Sequence, residues 1–436
     1  MGLTSLDKKS PPGPEHEFDV HGASDPLRKL YGFFHTFGDI YELRSSRYRN
    51  RIFVICHPDY LKYVLIDNRH NYKKGGGFDR VKMLLGNGII VTDGELWKRN
   101  RLMIQPAFHR DVIIGYFDRL LDISERTLAQ WQHSADVGAT IDVTNATSFA
   151  ALQSVLSAIF SDDLDELDDG RGDNPFLLPA KEHARDLSFA SRFRALAKPV
   201  LEIIEKRRSK PAERFDFLAS LMSARDRRSG EPMSDKQLVD EVMTLIVAGH
   251  ETTASTLNWT WYLLARNPRV TERLQQQLDE VLDEDALTPD ALKQIPYARQ
   301  ILEETMRLYP PVWRFTRRAI QDDNIAGYHV PAGTDLVISP YITHRHPAHW
   351  KEVERFDPER FDADRCRERH RVAYLPFSAG PRRCIGDGFA LLEMQIHLCT
   401  IARSLSLERP DPAMVEMEPE INLRSRGNIH MHATRR

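Results

Sequence analysis

The chain has 436 residues, enough to bury a large core, and length alone allows about three domains. Its net charge of −3 gives no general attraction to nucleic acid or acidic lipid. Cys56, Cys366, Cys384 and Cys399 follow neither zinc nor disulfide spacing, and so few cysteines in so long a chain suit a reducing compartment.

In chain order, Met1 to Phe18 is polar. It lacks the apolar stretch of a signal peptide and the ~20 apolar residues of a membrane span, and no later stretch reads as a span. A cytoplasmic protein without a membrane anchor is expected, with residues 1–20 as a flexible leader. Ile40 to Leu43 and Arg51 to Cys56 read as short strands, and Asp59 to Asp67 as a helix between turn signals. Lys74-Gly75-Gly76-Gly77 and Gly86-Asn87-Gly88 mark a flexible loop. It is not a phosphate loop, because no Gly-Lys-Ser/Thr and no strand–loop–helix frame follow.

Trp97-Lys98-Arg99-Asn100-Arg101 opens a helix that sets Trp97 and Arg101 on one face at i,i+4. Asp111 to Phe160 reads as helices, and the acidic, turn-rich stretch from Ser161 to Gly170 as a mobile loop. Leu238 to Asn267 is a long helical pattern, roughly 45 Å at 1.5 Å per residue. At its centre, Ala248-Gly249-His250-Glu251-Thr252-Thr253 holds a glycine that costs about 1 kcal/mol in a helix unless something needs room. Thr252 can bond back to its own helix, and an acid followed by an alcohol supplies a proton path. Glu304 and Arg307 lie at i,i+3 in a helix from Ile301 to Tyr309, stopped by Pro310-Pro311. The tail, Ile421 to Thr434, reads as a hairpin around Arg426-Gly427.

The most informative stretch is Phe377-Ser378-Ala379-Gly380-Pro381-Arg382-Arg383-Cys384-Ile385-Gly386. A lone cysteine follows a Gly-Pro turn, stands beside two arginines and precedes an apolar helical run from Phe389 to Leu405. A helix N-terminus and neighbouring arginines favour a thiolate. Such a thiolate serves as nucleophile, redox centre or metal ligand. Redox work usually wants a second nearby cysteine, and no C-x-x-C occurs. A nucleophile needs a histidine base, which the sequence leaves open. A thiolate on haem iron pushes electron density to the metal.

The stretch matches Phe-x-x-Gly-x-Arg-x-Cys-x-Gly at every fixed position and resembles the haem-binding loop of the cytochrome P450 family. The resemblance extends over roughly residues 30 to 436 through Trp-x-x-x-Arg (Trp97, Arg101), Ala-Gly-x-Glu-Thr (Ala248 to Thr252) and Glu-x-x-Arg (Glu304, Arg307). It implies the P450 fold, mainly α with a small β-rich region, as one domain over 21–436. It implies haem b with Cys384 as axial thiolate. Trp97, Arg101, Ala248, Arg318, Phe377, Arg382, Ile385 and Gly386 would also contact the haem. Arg318 aligns with a propionate ligand, but the neighbouring Arg317 leaves that assignment ambiguous by one residue. Thr252 would hydrogen-bond iron-bound dioxygen, and Glu251 would relay protons. Glu304, Arg307 and Arg360 of Phe356-Asp357-Pro358-Glu359-Arg360-Phe361 would form a buried structural network. His344, His346 and His349 look like a metal cluster. The family's His-Arg-x-Pro turn instead makes His344 structural and leaves His346 and His349 on the surface.

The implied activity is a monooxygenase inserting one atom of dioxygen into a C–H or C=C bond. No flavin or ferredoxin domain is attached, so electrons would come from a ferredoxin or flavodoxin with its NAD(P)H reductase. Arg382, Arg383, Lys98 and Arg99 are its expected docking patch. Phe78, Ile89, Ile90, Thr244, Leu245, Val312, Trp313 and Ile421 are the pocket candidates. Their apolar character suggests a terpenoid, carotenoid or fatty acid. Residues from 161 to 208 are shorter than the usual lid, so the lid is either compact or incomplete here. A monomer is expected. The alternatives are a peroxide-driven peroxygenase on the same fold, whose members lack the acid–alcohol pair, and a haem-binding sensor or carrier without turnover.

Overall fold

The computed structural model describes residues 9–20, 25–46, 50–164, 193–282 and 286–436. The elements that carry the site follow in order: α1 (Pro26–Phe37), β1 (Ile40–Leu43), β2 (Ile52–Ile55), α2 (Pro58–Lys62), β3 (Tyr72–Lys74), α3 (Phe78–Leu85), α4 (Gly94–Ile104), α5 (Phe117–Asp136), β4 (Ile141–Asp142), α6 (Val143–Phe160), α7 (Ala197–Ser209), α8 (Asp235–Arg266) and α9 (Pro296–Leu308). After these come β5 (Phe315–Ala319), β6 (Asp323–Ile325), β7 (Tyr328–Val330), β8 (Asp335–Ile338), α10 (Pro340–Thr343), α11 (Asp387–Ser404), β9 (Leu405–Glu408), β10 (Met417–Pro419), β11 (Leu423–Ser425) and β12 (His430–Arg435). The chain groups into two compact units.

The first unit comprises Met1–Asp79, Met306–Cys384 and Glu418–Arg424. Its centre is a five-stranded sheet in the order β1-β2-β8-β5-β3, antiparallel except for the parallel pair β2 and β8. Every residue of β2 and β8 is buried, as expected of apolar strands covered on both faces. Phe53, Ile55, Leu61, Val64, Leu336 and Ile338 form part of the core. The expected leader, residues 1–20, is described from residue 9. Glu42 N–H donates to Pro12 O at 2.8 Å and Phe18 N–H to Arg44 O at 2.8 Å. Gly13 fits there because a Cβ would fall 2.0 Å from Glu42 O. Residues 1–8 lie outside the described residues.

The second unit comprises Arg80–Thr305, Ile385–Met417 and Ser425–Arg436. Its axis is α8, 32 residues long. α8 starts three residues before the apolar pattern because Ser234 and Gln237 form a capping box there. α6 packs along α8 and against α5. By length and composition α6 could cross a membrane, contrary to expectation, yet 61% of it is buried in the fold, as in a core helix. The expected tail hairpin is absent. β12 pairs with β4 and β9, presenting Met431 and Ala433 inward, and β11 belongs to a separate two-stranded ribbon.

Two loop expectations also change. Between the glycine clusters the chain forms α3, since Phe78–Leu85 contains no helix breaker. Asp163 of the acidic stretch is 2% exposed and accepts from Arg207 Nε at 2.7 Å, while Arg207 also forks onto Asp216 at 2.8 and 2.9 Å. Residues 165–170 of the acidic stretch and 165–192 of the expected lid lie outside the described residues.

Candidate active site

The cysteine loop is held by its backbone. His344 Nε2 accepts from Leu375 N–H at 3.0 Å at the loop's entry. Burial, then the nearby guanidinium groups of Arg307 and Arg345, push His344 down to about 3, so the ring stays neutral and keeps that lone pair. The chain then turns through two left-handed residues, Ser378 (φ 61°) and Gly380 (φ 72°). A Cβ at Gly380 would lie 2.1 Å from Leu65 O, so the motif glycine is required both by conformation and by space. Cys384 N–H donates to Phe377 O at 2.9 Å and closes the loop, leaving Cys384 exposed. α11 starts at Asp387, three residues on. Among the other cysteines, burial pushes the Cys56 thiol well up and that of Cys399 to about 12, away from the thiolate a metal ligand needs. Cys366 is exposed, outside any such loop.

The Glu-x-x-Arg residues lie on α9, both 0% exposed, and Arg360 is 9% exposed. Arg307 donates to the carbonyls of His344, Val353 and Arg355 at 3.1, 2.7 and 3.1 Å. Arg360 donates to Glu352 O at 3.0 Å. These side chains hold backbone in place.

β5 separates the two ambiguous arginines by strand alternation. Arg318 forks onto Asp335 at 2.8 and 2.7 Å. Arg317 is 6% exposed, with Nη1 donating to Thr316 O at 2.9 Å. Trp313 is buried, its Nε1 donating to Glu420 O at 2.9 Å, while Val312 is half-buried. Ile421 is 67% exposed and does not fit a pocket position. Phe78 is half-buried beneath Lys74.

In the second unit, Thr252 Oγ1 donates to Ala248 O at 2.8 Å, and Ala248, Glu251 and Thr252 share a partly open face of α8. Gly249 does not point to open space. A Cβ there would meet Val155 Cγ2 of α6 at 2.7 Å, so the glycine permits close helix packing. His250 is buried, with Nε2 at 2.9 Å from Ser148 Oγ. The loop after α3 is fastened to α8. Asn87 N–H donates to Asp240 Oδ2 at 3.0 Å and Ile89 N–H to Glu241 Oε2 at 2.8 Å. A Cβ at Gly88 would strike Thr244 Oγ1. Ile89, Thr244 and Leu245 are therefore buried around this seam, and Ile90 is half-buried. Trp97 and Arg101 are half-buried on α4. Arg99 is not a free surface charge, because its Nε pairs with Asp226 Oδ2 at 2.8 Å.

The family model described as cytochrome P450 matches residues 17–176 and 173–430. The chain belongs to the cytochrome P450 family. It is 34% identical over 394 residues to cyclooctat-9-en-7-ol 5-monooxygenase of Streptomyces melanosporofaciens, covering 86% of this chain and 83% of that protein. It is 32% identical to cyclooctatin synthase of the same organism, covering 88% and 86%. The fold matches the crystal structure of the cytochrome P450DA heme domain with a TM-score of 0.86 at 24% identity, over 98% of this chain and 97% of that one. The P450 is an oxidoreductase, a monooxygenase whose cofactor is haem b with an axial cysteine thiolate. The exposed Cys384 on its rigid loop fits that ligand. When bound, the haem iron supplies the redox chemistry that splits dioxygen, aided by thiolate electron density.

Several functional positions were not read from the sequence. Asp335 as the partner of Arg318, Val155 opposite Gly249 and His344 as the loop's anchor all act through long-range contacts. Alternation along Phe315–Ala319 was a local signal that could have separated Arg317 from Arg318.

Proposed function

We propose that this P450 oxidises a terpenoid, using Glu251 and Thr252 to manage protons and a separate redox protein to supply electrons. The observation that carries the proton role is the Thr252–Ala248 bond on a continuous α8, which keeps a hydroxyl fixed beside Glu251 on the open face. Thr252 gives its Oγ1 proton by releasing Ala248 O, and Glu251 can recharge it from solvent. The relatives with terpenoid-oxidising names and the apolar side chains of Ile89 and Leu245 in the second unit support the substrate class. Arg317 is the better propionate ligand of the two arginines, because the guanidinium of Arg318 is already satisfied by Asp335. Among the basic residues expected to dock an acidic ferredoxin or flavodoxin, Arg99 is already bonded to Asp226.

The test is the haem Soret shift across terpenoids, carotenoids and fatty acids at equal concentration. Terpenoids should give the shift at the lowest concentrations. Binding confined to fatty acids would replace the substrate assignment.

A further inference from the structure

We propose that Asp39, His57, His346 and His349 form a binding site for a borderline divalent metal ion of the zinc class, separate from the haem iron. All four lie in the first unit. His346, expected on the surface, is 6% exposed. The ring centres of His57, His346 and His349 make a near-equilateral triangle with edges of 5.4, 5.7 and 5.3 Å. Three imidazoles sharing a zinc-class ion at about 2.0–2.1 Å would place their ring centres roughly 5 Å apart. The triangle is therefore close to the size an ion requires. Asp39, His57 and His346 each offer a donor atom within 4.8 Å of the others. The nearest pair is His346 Nε2 donating to Asp39 Oδ1 at 2.8 Å. His349 Nε2 is shielded from solvent and meets no hydrogen-bond partner among the described residues, a disposition that suits a ligand nitrogen better than a solvated surface ring.

The donor atoms that already converge are two imidazoles and a carboxylate, and His349 completes the set by turning its ring, a combination that selects zinc, nickel or copper over magnesium or calcium. The ion would tie together three segments distant in sequence: the turn before β1 with Asp39, the cap of α2 with His57, and the turn after α10 with His346 and His349. His370, whose ring lies 6.1 Å from that of His349 and whose Nε2 is 3.3 Å from Asp59 Oδ1, stands outside this shell. Binding has a cost. The Nδ1 atoms of His57 and His346 accept from the backbone N–H groups of Asp59 and Ala348 at 3.2 and 3.3 Å. Coordination through Nε2 moves each ring's proton to Nδ1 and turns the ring out of these long contacts. The ion also takes the place of the proton on His346 Nε2 that faces Asp39. The site is thus built for an exchangeable ion.

The experiment uses the haem-loaded protein after chelator treatment, titrated with zinc chloride by calorimetry, with melting temperature read in parallel. One equivalent should bind with a rise of several degrees in melting temperature. X-ray absorption at the zinc edge should show imidazole scattering. His57→Gln and His346→Gln should each weaken binding at least tenfold and lose the temperature shift, while the exposed His432→Gln keeps both. His349→Gln, at a less buried position, serves if a buried variant fails to fold. Absence of stoichiometric binding would overturn the site. So would zinc bound equally well by the variants at His57, His346 and His349.

Discussion

The loop presenting Cys384 and the α8 face carrying Glu251 and Thr252 are built by opposite means. The loop is fixed by main chain: a left-handed Gly380 pressed on Leu65 O, Cys384 N–H on Phe377 O, and Leu375 N–H on His344. The α8 face rests on an unbroken helix whose opposite side packs through Gly249 on Val155. Its side chains can therefore change without moving the backbone. Damage to the loop should remove the cofactor, whereas damage to the face should alter chemistry in a protein that still folds.

The largest effect is expected at Gly380. Gly380→Ala forces a left-handed alanine against a carbonyl and should shift the loop. Haem per protein, read from the Soret-to-protein absorbance ratio, should fall severely. Full haem content would break the contrast between loop and helix.

Glu304→Ala comes next. Glu304 is fully buried, and on the reading that it anchors a buried charge network its removal should cost about 3–5 kcal/mol. Denaturant unfolding measures this, and an unchanged midpoint would show that Glu304 is not part of a buried charge network.

A smaller and opposite change is expected in α11. Glu393 is 4% exposed, and burial pushes its carboxyl well above the usual range against a smaller opposing effect of the Ser154 hydroxyl. The folded state therefore holds this proton more tightly than the unfolded chain, whose glutamate titrates near about 4.3. The contribution favours the fold below that value and is lost as pH rises toward the raised folded value. Glu393→Gln removes the titration. The variant should melt higher than wild type at pH 8, and the gap should narrow toward pH 4. A gap that stays constant with pH would mean that Glu393 is not held protonated.

How much was legible follows the same division. β1 was readable to the residue, and α8 nearly so, because apolar runs and periodicity are local signals. Cys384 was legible because a contiguous motif carries it. The pairing of β12 with β4 and β9, the ion pair of Arg318 with Asp335, the burial of His346 and the seat of Gly249 on Val155 were not. Each depends on a partner far along the chain, where sequence spacing carries no distance information. The room that Gly249 was expected to leave is taken by Val155 of a neighbouring helix.

The central claim is that Thr252 handles protons and does not hold the fold together. The most direct test is product formed per reductant consumed in Thr252→Ala, with a substrate found by the Soret screen. Haem content, the carbon monoxide band near 450 nm of the thiolate-ligated form and the melting temperature should match wild type within error. Reductant should still be consumed, but product per reductant should fall roughly tenfold or more, with hydrogen peroxide making up the difference. A variant as well coupled as wild type would contradict the account.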